Sequence, residues 1–356
     1  MNKNSWKGKN VLITGINGFI GGNLAKELLV QGANVIGLIR NQSKQTFLYF
    51  EGLEKDIVII NGDLSDKDLM CRIMSEQNIN VVYHLAAQVE VGVGVNNPFL
   101  TFETNIRGTY TLLEAMRMHG DSIEAAIFAS TDKAYGEYGA DLMPYKEDYP
   151  LLPKYPYDTS KACADMIAQV YANEIFKMPL TITRFSNIYG PGQLNFSALV
   201  PDSITSALGY SKFIPRGDGS MVRDWLFIED VVDPYMTIGE AMAENPDKIS
   251  GEVFNAGTND PISVRTVLEN VYKLVGNEND FEEVLSLMKE KKTIGEIQCQ
   301  YMNYDKVNEY FNWSPSHSLK DGLAKSIEWY DKWNQRKWIA IKAITHEFIN
   351  IFHSRI

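Results

Sequence analysis

Cysteine is scarce in this chain: three in 356 residues, Cys71, Cys163 and Cys299, scattered and odd in number. They form no disulfide framework and no zinc spacing, so no metal site is expected. Cys163 reads as a small buried hydrophobe rather than a nucleophile. Positive charge is also short. Lys and Arg number 34 against 45 Asp and Glu, a formal net charge of −11. Such a balance argues against non-specific nucleic-acid binding, yet it leaves room for local arginines that hold an anionic ligand. No apolar run reaches transmembrane length. The first residues, MNKNSWKGKN, lack the apolar stretch of a secretory signal, which predicts a cytoplasmic protein. Repeats and low-complexity tracts are missing too. The length suits one large or two medium domains, and 45% hydrophobic with 22% charged residues is ordinary for a globular protein.

What is present begins with Asn10–Thr14, a short apolar run that reads as a buried strand. Gly15-x-x-Gly18-x-x-Gly21 follows, then a helical pattern on Leu24, Leu28 and Leu29. Strand, glycine turn and helix make the context of a dinucleotide site: glycines let the backbone approach a pyrophosphate, and the helix N-terminus supplies amide donors. Further strands are predicted at Asn34–Ile39, 57–60, 81–85, 125–128 and 180–184. The alternation with helical patterns predicts a doubly wound parallel α/β sheet. Ala86 and Ala87, after the fourth strand, are small, as close approach to a cofactor requires. Residues 88–97 read as a loop over the substrate, and 98–118 as one long helix. The end of the second strand offers Arg40, Asn41 and Gln42 but no acid. An acid there would favour NAD and an arginine could accept a 2′-phosphate, so NAD and NADP both stay open.

The chain is organised around 129–161. Ser130, Thr131, Asp132 and Lys133 should stand at the carboxyl end of the fifth strand, where open α/β sheets bind ligands. Tyr157-x-x-x-Lys161 opens an amphipathic helix, and i and i+4 share a face. A phenol ionises near pH 10 unless helped, and an adjacent ammonium favours the phenolate. Tyr157 is therefore a plausible general base toward a substrate hydroxyl.

The ordered motifs TGINGFIGG (14–22), GDLSD (62–66), HLAAQ (84–88), STDKAYG (130–136), YPYDTSK (155–161), RFSNIYGPG (184–192) and RDWLFIEDVV (223–232) resemble the extended short-chain dehydrogenase/reductase superfamily, specifically its nucleotide-sugar epimerases and dehydratases. The resemblance covers roughly residues 8–330. It implies a Rossmann-type domain over 1–185, with later segments returning to it, a smaller substrate-binding α/β domain mainly over 186–333, and an extension over 334–356. The cofactor set it implies is Gly15, Asn17, Gly18, Phe19, Ile20, Gly21, Arg40, Asp63, Leu64, Leu85, Ala86, Ala87, Gln88, Asn105, Ser130, Tyr157 and Lys161. Asp63 would cap the adenine amino group, and Asn105 would take a buried supporting role. Gln88, Thr131, Asn187, Arg216 and Arg223 are the substrate candidates, the arginines because their planar fork suits a diphosphate. A homodimer built on the helices beginning near Pro98 and Tyr157 is expected.

The triplet Thr131-Asp132-Lys133 separates the chemistries. A 4-epimerase needs only reversible oxidation at C4. A 4,6-dehydratase must also remove the C5 proton and protonate the leaving C6 hydroxyl. The triplet resembles that of CDP-glucose 4,6-dehydratases, as does the distance of 26 positions from Thr131 to Tyr157. The implied roles are Thr131 on the C4 hydroxyl, Tyr157 as its base, Lys161 beside the phenol, Lys133 as C5 base and Asp132 as acid. The alternatives are a 4-epimerase, a GDP-mannose-type dehydratase, a 4-oxidase of a longer sugar, or a non-catalytic dinucleotide-binding protein. In the extension, Trp338, Ile341, Thr345, Phe348 and Phe352 recur at helical spacing among Arg336, Lys337, Lys342 and Arg355. This predicts a helix packed on its own domain or a dimer mate, with a membrane-surface helix as the alternative.

Overall fold

The computed structural model describes residues 5–289, 291 and 297–353. The chain divides into two compact units. The first comprises Met1–Ile188, Val222–Ile262 and Ile297–Ser316; the second comprises Tyr189–Met221, Ser263–Glu296 and His317–Ile356.

Seven parallel strands form the centre of the first unit: β1 (Asn10–Thr14), β2 (Asn34–Ile39), β3 (Ile57–Asn61), β4 (Val81–His84), β5 (Ala125–Ala129), β6 (Leu180–Phe185) and β7 (Val253–Ala256). Their order across the sheet is β7-β6-β5-β4-β1-β2-β3. The strands are near-continuous apolar runs because helices cover both faces, so alternation would expose no polar side to water. The order reverses between β1 and β4, and that switch point puts the glycine turn beside the 85–88 loop. The main helices are α1 (Phe19–Val30), α2 (Lys67–Glu76), α3 (Gly108–His119), α4 (Pro156–Ala172) and α5 (Ile228–Glu244).

Two local expectations are revised. Within 88–97, residues Val91–Asn96 form a short helix rather than open loop, closed by Asn97, whose side chain caps the next helix by accepting from the Leu100 amide. The single helix expected over 98–118 instead starts as Pro98–Phe102, widens to a π-turn at Glu103–Arg107, and continues as α3. Asn105 sits inside that widened turn, fully buried. Such π-bulges often mark functional sites, and here the turn carries a side chain bonded to the site's own loop.

A directional chain of hydrogen bonds ties this turn to the first strand. The Ala86 amide donates to Thr14 Oγ1 at 3.3 Å, and Thr14 Oγ1 lies 2.8 Å from His84 Nδ1. His84 Nε2 lies 2.9 Å from Thr109 Oγ1, whose hydroxyl donates to the Asn105 carbonyl at 2.6 Å. Because Thr109 donates onward, it accepts from Nε2–H, so Nδ1 accepts from Thr14. The network assigns a neutral Nε2–H ring. Burial, and then the Lys161 charge, push the His84 imidazolium down to about 3.

The second unit holds helices Leu199–Ala207, Val264–Val275, Glu278–Met288 and Leu319–His353. Tyr272 donates to Ser206 Oγ at 3.0 Å, and Tyr330 donates to the Gln193 carbonyl at 2.6 Å. The apolar stripe expected on Trp338, Ile341, Thr345, Phe348 and Phe352 concerns side chains outside the described residues, although the backbone there is helical to His353. No helix among the described residues is long and apolar enough to cross a membrane.

The His84 arrangement has a pH consequence. The folded ring resists a proton that the unfolded ring accepts near 6.5, so its contribution is complete above that value and lost as pH falls towards about 3. Urea midpoints of wild type and His84→Gln should therefore converge as pH drops from about 7.5 to about 4, with slopes differing by up to ~1.4 kcal/mol per pH unit. A difference that does not change with pH contradicts this assignment.

Candidate active site

The glycine turn is built for close approach. Gly15 has φ +75°, and a Cβ there would meet the Ala86 Cα at 2.8 Å. A Cβ on Gly21 would stand 2.4 Å from the Gly15 carbonyl. Only glycine serves at either position. Phe19 and Ile20 open α1, so their amides belong to the first turn, which has no internal acceptors. Asn17 donates to the Asn41 carbonyl at 3.2 Å, while its Oδ1 is buried without a partner. Arg40 and Asp63, at the ends of β2 and β3, face each other at 3.9 Å. The Asp63 carboxylate also accepts from the Ser65 amide and hydroxyl. It sits below the usual range; burial opposes this, and the Ser65 bonds with the Arg40 and Arg107 charges outweigh it.

Three of the expected residues have partners within the protein. Leu64 points into the hydrophobic core beneath Gly108, so its side chain is not free to line a ligand. Asn105 accepts from the Gln88 amide at 2.7 Å and donates to the Gln88 carbonyl and to Ser160 Oγ at 3.0 and 2.9 Å. It thus ties the 85–88 loop to α4, the buried supporting role expected of it. The Gln88 side chain accepts from Thr101 and donates to the Glu90 carbonyl, at 2.9 and 3.0 Å. Leu85, Ala86 and Ala87 remain half-buried along the turn.

Thr131, Asp132 and Lys133 lie where β5 ends, as the opening of a 3₁₀ turn, Asp132–Tyr135. Thr131 caps it, its Oγ1 accepting from the Lys133 amide at 3.4 Å and donating to Asp132 Oδ1 at 3.0 Å. Asp132 is buried, and its Oδ2 has no partner. Ser130 Oγ, Ser186 Oγ and Asn187 Nδ2 are likewise buried and unpaired. These groups stand after β5 and β6, at the carboxyl ends where a ligand could satisfy them.

Tyr157 and Lys161 come from the first turns of α4, and both are buried. The Lys161 ammonium donates to the Ala129 carbonyl, the last residue of β5. Burial brings Lys161 down to about 8, against the pull of Asp165. Tyr157 is raised above the usual phenol value, first by burial, then by the Asp132 and Asp158 charges; a hydrogen bond with Thr131 opposes this. Two acids on the phenol's flank favour the neutral form.

Asp158 is the residue the sequence reading missed. It follows Tyr157, is 5% exposed, and is pushed up to about 6 by burial, with Asp132 raising and Lys133 lowering it. A carboxylate inside Y-x-x-x-K reads as a solvated helix N-terminus; only the fold shows it facing the turn. Of the substrate candidates, Asn187 is half-buried beside Ser186, and Arg223 donates to the Val222 and Gln298 carbonyls at 2.9 and 3.4 Å. Arg216 is exposed in the second unit, its charge lowering Asp202 against burial. A separate groove of about 500 Å³ opens near Glu124 and Pro179, at the amino ends of β5 and β6. It lies at the opposite end of the strands from this chemistry.

Two outcomes follow from this geometry. Gly15→Ala should abolish dinucleotide binding in a fluorescence titration, since backbone must shift to admit the methyl; unchanged affinity would refute the cradle. The raised Asp158 carboxyl costs stability once ionised, so its penalty grows as pH rises from 3.8 through about 6. Asp158→Asn should gain up to ~3 kcal/mol at about pH 8 and nothing near pH 4. A gain equal at both pH values counts against it.

Comparison with known proteins places these features in a family. Residues 12–326 match the family described as GDP-mannose 4,6 dehydratase. A trifunctional UDP-glucose 4,6-dehydratase/3,5-epimerase/reductase of Arabidopsis thaliana is 30% identical over 95% of this chain. The chain spans about half, 49%, of that protein's length. The crystal structure of dTDP-glucose 4,6-dehydratase from Bacillus anthracis in complex with NAD is 28% identical, with TM-score 0.78 over 91% of this chain and 97% of that one. A UDP-glucose 4-epimerase from Thermotoga maritima, with UDP-glucose, is 29% identical, with TM-score 0.77 over 91% and 99%. The glycine turn, the strand order and the match over most of its length make this chain a member of the GDP-mannose 4,6-dehydratase family of extended short-chain dehydrogenases/reductases.

Proposed function

We propose that this protein is a nucleotide-sugar 4,6-dehydratase, converting a nucleotide-diphosphate hexose to its 4-keto-6-deoxy form with NAD or NADP. One observation carries the reading: the buried Asp132 carboxyl, with an unpartnered Oδ2, lies on a turn whose charges act directly on Tyr157 and Asp158. A 4-epimerase has no use for an acid and an amine there. The Gly15–Ala86 cradle and the unpaired Asn17 Oδ1 and Ser130 Oγ fit a dinucleotide. The Bacillus anthracis relative holds NAD, and Arg40 in place of an acid leaves NADP open for this chain.

A dinucleotide held at the Gly15–Ala86 turn would supply the hydride chemistry between C4 and C6. The rest falls to side chains. Thr131 holds the C4 hydroxyl, and Tyr157 accepts its proton. That transfer needs a lower phenol pKa than burial and two acids allow, which the positive charge of an oxidised nicotinamide and the Lys161 ammonium together provide. Lys133 takes the C5 proton made acidic by the C4 ketone, and Asp132 protonates the C6 hydroxyl as it leaves as water. Lys133 then returns a proton to C5. Asn187 and Arg223 are proposed for the nucleotide sugar. Thr131-Asp132-Lys133 points to a CDP-hexose, whereas the relatives above act on UDP- and dTDP-sugars by name.

Lys133→Met keeps stem length and removes the amine. Incubated with CDP-, UDP-, GDP- and dTDP-glucose, it should lose about 10²–10⁴-fold in turnover. Its sugar should stall as a ketone lighter by two hydrogens, not by a water. Normal turnover would remove Lys133 from the mechanism, and an inverted C4 at unchanged mass in wild type would make the protein an epimerase.

We also propose a homodimer. Phe99 and Tyr110, on the helical run through the π-turn, and Met166 and Val170, one turn apart on α4, are 73%, 41%, 51% and 48% exposed. Met166→Glu should halve the mass found by light scattering at micromolar concentration. A wild type that is already monomeric contradicts the proposal.

A further inference from the structure

Arg184 lies on β6, buried among groups that none of the steps above uses. Its Nε and Nη2 donate to the two oxygens of Asp165 at 2.8 and 3.0 Å. Its Nη1 donates to the Tyr135 hydroxyl at 2.9 Å. Tyr135 donates in turn to Asn255 Oδ1 on β7 at 2.8 Å, and its ring stacks on Tyr145 at 4.9 Å. The two arms reach different halves of the site. Asp165 is one α-turn beyond Lys161 on α4, and i and i+4 lie on one face. Tyr135 is one 3₁₀ turn beyond Asp132, and i and i+3 eclipse there. A planar guanidinium fixes the directions of all its donors at once, which an ammonium cannot do.

We propose that Arg184 is a positioning residue that sets the register between the turn bearing Thr131, Asp132 and Lys133 and the helix bearing Tyr157 and Lys161, through Tyr135 on one side and Asp165 on the other. It touches no substrate. A displacement of about 1 Å between reacting groups can cost about 10²-fold in rate, so a rigid connector between the two halves has a kinetic role beyond stability. For its kinetic arm, the inference rests on the dehydratase reading.

The test uses Tyr135→Phe, which removes one hydroxyl and keeps the ring packing, together with Arg184→Lys, which keeps the charge and loses the fork. In the cofactor-loaded full-length enzyme, Tyr135→Phe should retain KM and lower kcat per folded molecule by about 10–100-fold. Part of the sugar should escape as the 4-ketone that still carries its 6-hydroxyl. Arg184→Lys added to Tyr135→Phe should cost far less than the product of the two single losses, because both break one connection. A purely structural role would lower the melting temperature and the folded fraction and leave kcat per folded molecule and KM as they were. A second readout needs no turnover: amide hydrogen exchange over 130–136 should quicken about tenfold in Tyr135→Phe, with exchange over 156–172 unchanged. If exchange in the turn does not change, or kcat stays within about twofold of wild type, the inference is wrong. If exchange responds as stated while wild type dehydrates no sugar, the connector stands and the dehydratase reading falls.

Discussion

The buried ion pair between Arg184 and Asp165 is the constraint on which the site depends. Both groups are almost wholly removed from water. Taking two charges out of water costs several kcal/mol per ion, and breaking one partner of such a pair costs about 3–5 kcal/mol. The cost is offset here by geometry: a bidentate contact to Asp165, a third bond to Tyr135, and a carbonyl contact to Glu147 at 3.3 Å. Three chain segments then have one permitted arrangement. The strand carrying Arg184, the helix carrying Asp165 and the turn carrying Tyr135 cannot slide past each other without leaving a charge unpaired in the interior.

Around that fixed frame, burial moves the neighbouring groups toward their neutral forms. Lys161 comes down to about 8 and Asp158 goes up to about 6. Tyr157 is driven above its usual value, and His84 is held neutral by burial and the Lys161 charge. An acid–base site that must pass protons near neutral pH benefits from groups poised in that range. The polar network is also continuous. From Ala86 through Thr14, His84 and Thr109 to Asn105, and on to Gln88 and Ser160, hydrogen bonds link the glycine turn to α4. The glycine turn and the helix bearing Tyr157 and Lys161 are thereby joined by one continuous hydrogen-bond network.

Which parts were legible in the sequence follows from range. The first strand, the glycine turn and the Tyr157/Lys161 face are local patterns, marked by a short apolar run, by glycine's freedom at Gly15 and by the 3.6-residue helical period. The parallel sheet followed from alternation alone. What the sequence concealed is long-range. His84 finds Thr14 across 70 positions, and Arg184 finds Tyr135 across 49. No spacing rule marks Asp158 as facing the turn, because a carboxylate in the first turn of a helix is what the helix dipole favours anyway. The π-turn at Glu103–Arg107 lies inside a run that reads in the sequence as one continuous helix. Leu64 sits in the quoted 62–66 motif, yet the fold packs its side chain into the core, while Asn105 supports the 85–88 loop.

The central claim is that the turn at Thr131–Lys133 performs an elimination that the dinucleotide site alone would not. It is tested most directly by running the wild-type enzyme on a nucleotide hexose in deuterated water and taking the product's mass and its C5 deuterium content. The account predicts a product lighter by one water with solvent deuterium at C5. A product of unchanged mass, with C5 still carrying its original hydrogen, would contradict it.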